Sequence, residues 1–103
     1  MIKVVYICSP FSSDVIRNTE NARRYCKYAV SKGVLPIAPH LLFPQFLDDN
    51  CPMEREKGLA FGLVLLEKAD ELWVFGTHRS EGMRREIEKA NTDGIPVTYI
   101  NNI

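Results

Sequence analysis

The sequence predicts an α/β domain: a three-layer sandwich in which helices cover both faces of a four-stranded parallel sheet. Two observations lead there. Short apolar runs rich in β-branched and aromatic residues recur along the chain, and helical periodicity fills the segments between them. The chain is 103 residues long, enough for a single domain over 1–103 with one modest core. Strict alternation of units this size implies parallel strands joined by right-handed crossovers.

The elements follow in order. Ile2 to Cys8 reads as a buried strand, and Ser9-Pro10-Phe11-Ser12-Ser13 breaks it. Asn18 or Thr19 can cap a helix in which Ala22, Tyr25, Cys26, Ala29 and Val30 repeat at helical spacing, and Gly33 stops it. Val34 to Ala38 is a second strand, and Pro36 puts it at a sheet edge. Pro39 to Cys51 reads as a loop, long enough for so small a domain to imply a function. Pro52 suits the first turn of a helix that runs to about Lys68 and carries apolar residues on several sides, so its second half is expected to be largely buried. Glu71 to Phe75 is a third strand, ended by Gly76. Ser80 can cap a helix from about Glu81 to Asn91, Asp93-Gly94 ends it, and Pro96 to Ile100 is the last strand. The resulting topology is Rossmann-like or flavodoxin-like, with strand order 2-1-3-4. In such folds ligands bind beyond the carboxyl ends of the strands, at the switch in strand order.

Composition narrows the function. Lys plus Arg number 13 and Asp plus Glu 13, so no basic excess points to nucleic acid. The longest apolar run, Leu59 to Leu66, is well below a membrane span, and no signal peptide is visible. Cys8, Cys26 and Cys51 are odd in number and lack C-x-x-C spacing, which fits reduced thiols in a cytoplasm. His40 and His78 are isolated, so no metal site is expected. There is no G-x-G-x-x-G and no Walker A lysine, and no cofactor is expected. A core this small favours association into a homodimer or larger homo-oligomer.

Three segments meet at the expected ligand edge: Ser9 to Asp14, Pro39 to Cys51, and Gly76 to Gly82. The first is hydroxyl-rich, and Ser9, Pro10, Phe11 and Ser12 can offer amides, hydroxyls and a ring to a phosphate or sugar. In the third, Ser80 caps a helix whose free N–H groups favour an anion, and Gly82 permits close approach. Met83 shares a core-facing stripe with Ile87 and Ala90, and Glu86 lies one turn in, on the neighbouring face. His40 and His78 follow the second and third strands. Glu54, Gly58 and Gly62 are spaced i, i+4, i+8. Each glycine costs about 1 kcal/mol relative to alanine in a helix interior, which close approach by a ligand or another helix would offset.

These residues resemble the nucleoside 2-deoxyribosyltransferase superfamily. The likeness rests on Tyr6-Ile7-Cys8-Ser9-Pro10-Phe11-Ser12, on Ala69-Asp70 before the third strand, and on Ser80-x-Gly82-x-x-x-Glu86-x-x-x-Ala90 after it. Over nearly its full length the chain is similar to a bacterial and phage family known as domain of unknown function 4406 or 7768. The segments that carry this likeness include Ile37-Ala38-Pro39-His40, Phe46-Leu47-Asp48-Asp49, Asp70 to Gly76 and Ser80-Glu81-Gly82-Met83.

The resemblance implies that Glu86 is the nucleophile that attacks the anomeric carbon, and that Ser80 helps hold a phosphate. It also marks a departure: the enzymes carry an aspartate where this chain has Gly62. The mechanism it implies is that of a retaining glycosidase acting on a nucleoside or nucleotide. Tyr6 or Ser9 would orient Glu86, and His40, Asp48, Asp49 or Glu54 would protonate the leaving base. The competing expectation is a module that binds a nucleotide or nucleotide-derived signal without cleaving it.

Overall fold

The computed structural model describes residues 1–101 and 103. The strands are β1 (Val4–Cys8), β2 (Leu35–Ile37), β3 (Glu71–Phe75) and β4 (Val97–Ile100). They form one parallel sheet in the order β2-β1-β3-β4, as the alternation predicts. The order reverses between β1 and β3, so the topological switch lies beside the carboxyl end of β1.

The period-two alternation of each strand divides the core into two. Tyr6 and Cys8 of β1 and Leu72 and Val74 of β3 face one layer, with Leu66, Ala69, Met83 and Ala90. That layer holds α3 (Pro52–Glu67) and α4 (Glu81–Thr92). Val5, Ile7 and Phe75 face the other layer, with Tyr25 and Ala29 of α1 (Val15–Ser31). Tyr25 stacks on Phe75 with ring centroids 4.3 Å apart. Asp70 fixes the start of the sheet, because its carboxylate accepts the backbone N–H of Val4 at 2.8 Å.

Three local expectations change. The cap of α1 is Asp14, whose carboxylate accepts the N–H of Arg17 at 3.2 Å, so the helix starts earlier than Asn18. Asn18 instead donates its amide to the Phe11 carbonyl and the Ser13 hydroxyl, and this folds the first loop back onto α1. The segment from Pro39 is not a plain loop. It contains α2 (Pro39–Leu42) and a 3-10 turn (Phe43–Gln45), each with a proline in its first turn, where a missing N–H costs nothing. Finally, α3 is far less buried than its apolar run implies. Only Gly62 and Leu66 are buried, while Met53, Phe61 and Val64 are exposed, because α3 meets the sheet along a narrow stripe. No helix among the described residues is long and apolar enough to cross a membrane.

Candidate functional site

A cavity of about 550 Å³ opens on the α3–α4 side of β1, roofed by the segment that follows β2. Tyr6 lies on its floor. The residue is fully buried, yet its hydroxyl reaches the cavity and donates to Oε2 of Glu86. Glu86 stands in the second turn of α4, whose start is fixed by Ser80. The Ser80 hydroxyl accepts the Met83 N–H at 3.2 Å, so it serves the helix as well as lining the cavity. Below the carboxyl, the Cys8 thiol points at the Met83 carbonyl at 3.9 Å.

The glycine strip of α3 forms the opposite wall. A Cβ on Gly62 would stand 3.0 Å from the Tyr6 hydroxyl oxygen and 3.9 Å from the Glu86 carboxylate. Gly62 is therefore the residue that leaves room for the Tyr6–Glu86 pair. Gly58 also faces the cavity, where a Cβ would meet Leu47 of the roof at 3.7 Å. The strip faces this pocket.

His40 stacks on Phe11, with centroids 4.9 Å apart and planes 19° from parallel. Its Nε2 lies 2.9 Å from the Ser9 carbonyl. A carbonyl only accepts, so Nε2 carries the proton and Nδ1 of the neutral ring is a bare acceptor.

Of the residues singled out in the sequence, Tyr6, Phe11, Ser12, His40, Ser80, Gly82, Met83 and Glu86 line the cavity. Four do not. Ser9 is buried beside it: its carbonyl orients His40, and its hydroxyl has no hydrogen-bond partner among the described residues. Pro10 lies outside the lining, and His78 is exposed in the loop after β3. Asp48 turns away and accepts the Asn50 N–H at 2.9 Å, as a short Asx turn does. Asp49 and Glu54 do reach the cavity, and Glu54 accepts the Asp48 N–H at 2.7 Å. The roof residues Phe43 and Leu47 escaped sequence reasoning. The prolines at 39 and 44 were the available signal, since each marks a helical first turn that carries apolar side chains inward.

Residues 3–100 match the domain of unknown function DUF7768. The chain belongs to that family. No curated protein matches it. Among solved structures, a 2-deoxyribosyltransferase from the psychrotolerant bacterium Bacillus psychrosaccharolyticus is similar to it with a TM-score of 0.77. The match covers 95% of this chain and 72% of that one at 16% identity, a likeness of fold.

Within this DUF7768 domain, burial sets the protonation of the site. It raises the Glu86 carboxyl to about 7, against the smaller stabilising effect of the hydrogen bond from Tyr6. Burial, with the Glu86 carboxylate next to it, also holds the Tyr6 phenol well above its ordinary value. The Cys8 thiol is raised for the same two reasons, so it is no nucleophile. Burial lowers His40, outweighing its hydrogen bond to Ser9 and the charge of Asp49, and this favours the neutral ring. Glu86 is thus the carboxyl of this cavity poised to change charge near neutral pH.

Proposed function

We propose that this protein acts on the N-glycosidic bond of a nucleoside or nucleotide, with Glu86 as nucleophile. The observation that carries the reading is the Glu86 carboxyl itself: half-buried, bonded to Tyr6 and facing a cavity of sugar-and-base size, on a fold shared with a 2-deoxyribosyltransferase. The ionised carboxylate attacks C1′ and forms a glycosyl ester, and the base departs. Water or an acceptor base then resolves the ester, giving hydrolysis or transfer. Tyr6 aims the attacking carboxylate and withdraws charge from it as the ester breaks. Ser12 and the first turn of α4 face the sugar end.

The test is base release from nucleosides and nucleoside monophosphates, followed by chromatography. Activity that disappears in Glu86→Gln supports the reading, and undiminished release in that variant removes Glu86 from it. A second reading, a module that binds its nucleotide intact, draws on Gly62, where no acid accompanies Glu86. It predicts thermal stabilisation by a compound that is recovered unchanged.

We also infer a homo-oligomer, supported by the exposed Met53, Phe61 and Val64 along one side of α3 and by Leu42 and Phe46 nearby in sequence to its start.

A further inference from the structure

Cleaving a neutral nucleoside needs a proton for the departing nitrogen. The cavity is poorly supplied with one. His40 holds its proton on Nε2 against the Ser9 carbonyl and presents a bare Nδ1. The Tyr6 hydroxyl is committed to Glu86. Ser80 caps α4, and arginine does not give up its proton. Glu54 is held as an acceptor by the Asp48 N–H. None of these groups offers a free proton to a leaving base while Glu86 is the nucleophile.

The charge of the wall points the same way. Asp49, Glu54, Glu56, Glu81 and Glu86 line the cavity against Arg55 and Arg85. Arg85 is taken by Glu81 at 3.1 Å. That leaves Asp49, Glu54, Glu56 and Glu86 facing Arg55 alone. A phosphate is repelled by such a wall, and a cation is drawn in. Phe11 and Phe43 also line the cavity, and aromatic rings attract a flat cation.

We propose that the preferred substrate is an unphosphorylated N-glycoside whose heteroaromatic base carries a fixed positive charge, an N-glycosylated pyridinium being the simplest case. The proposal rests on Glu86 as nucleophile and names the class of base. A cationic base needs no acid. The Glu86 oxygen bonds to C1′, the C1′–N bond breaks, and its electron pair stays on nitrogen, so the base leaves neutral. Water then attacks C1′ of the ester. The sugar departs with a hydroxyl, Glu86 returns as carboxylate, and one proton goes to solvent. The bare Nδ1 of His40 suits an N–H donor on the ring, such as a carboxamide.

The experiment uses the N-riboside and N-2-deoxyriboside of 3-carboxamidopyridinium, their 5′-monophosphates, and neutral purine and pyrimidine nucleosides. Base release is followed by chromatography and corrected for the spontaneous rate of each compound. Binding to the Glu86→Gln protein is measured by calorimetry, which removes the intrinsic lability of the cation from the comparison. The cationic nucleosides should be cleaved at least tenfold more efficiently and bind at least fivefold more tightly than the neutral ones. A 5′-phosphate should weaken binding. Glu54→Gln/Glu56→Gln should narrow the preference by raising KM for the cation. Equal or better cleavage of neutral nucleosides, or tighter binding of the monophosphates, overturns the proposal and leaves Glu86 as nucleophile intact. No base release from any compound overturns both.

Discussion

Glu86 is a carboxyl whose environment works against its charge. In the unfolded chain it titrates near 4.5, and in the folded protein near 7. Between those values the folded state holds a proton that the unfolded state lacks. The raised value therefore contributes stability that is full below about 4.5 and is lost as pH rises through 7, by about 3 kcal/mol. Glu86→Gln has no proton to lose. Its Tm relative to the wild-type protein should rise by on the order of ten degrees between pH 5 and pH 8, read by scanning calorimetry. An unchanged Tm difference at the two pH values would show that Glu86 titrates as an exposed carboxyl does. The same titration should govern rate: base release rises with pH through about 7 as the nucleophile ionises. Tyr6→Phe removes a hydrogen bond that lowers the Glu86 value. It should move that limb of the profile to higher pH and lower kcat by roughly 10- to 100-fold, in the range of general acid–base effects. A rate loss without the shift would mean that Tyr6 contacts the substrate instead of tuning Glu86.

At the scale of elements, α3 shows what sequence can and cannot carry. The i, i+4 glycines are legible, and so is their purpose as a surface for close approach. What they approach is not, because the Tyr6 hydroxyl comes from a residue that reads as plain buried strand. Its place opposite Gly62 depends on how β1 and α3 pack. Gly62→Ala tests the arrangement. Alanine gains about 1 kcal/mol of helix propensity, but its methyl would stand 3.0 Å from the hydroxyl oxygen of the buried Tyr6, which must shift away from its place on Glu86. The variant should keep its fold, with a Tm within a few degrees of wild type, and lose most base-releasing activity. Retained activity would show that the Tyr6–Glu86 contact is dispensable. The start of α1 is hard to read from sequence for a related reason. Asn18 and Asp14 are equally good capping residues by type, and the choice was made by the Phe11 carbonyl and Ser13 hydroxyl, which occupy the Asn18 amide. Asp14→Ala should cost about 1 kcal/mol in denaturant unfolding, whereas an alanine at Thr19, inside the helix, should cost less.

Over the whole molecule, alternation and chain length made the layer order and sheet order legible, since few topologies satisfy a parallel sheet with short crossovers. Burial was less legible. The run Leu59 to Leu66 looks like a core helix, yet Phe61 and Val64 face outward, with Met53 two to three turns earlier. The sheet is only four strands wide, and α3 and α4 share one side of it, so neither is covered on its outer face. A chain of this size leaves such a stripe in water only at a cost of about 25 cal/mol for each Å². Phe61 also touches Phe43 of the cavity roof, with centroids 5.8 Å apart, so the stripe continues toward the site. A second copy laid along it would bury the stripe and steady the roof together. Sedimentation at micromolar concentration should therefore give a dimer or larger, and Phe61→Glu/Val64→Glu should shift it to monomer. If the roof is braced this way, the monomeric variant should show a raised KM with kcat less affected, and the defect should ease as protein concentration increases. A wild-type monomer at those concentrations, with full activity, would mean that the stripe is solvated and that the roof is held by its own two prolines.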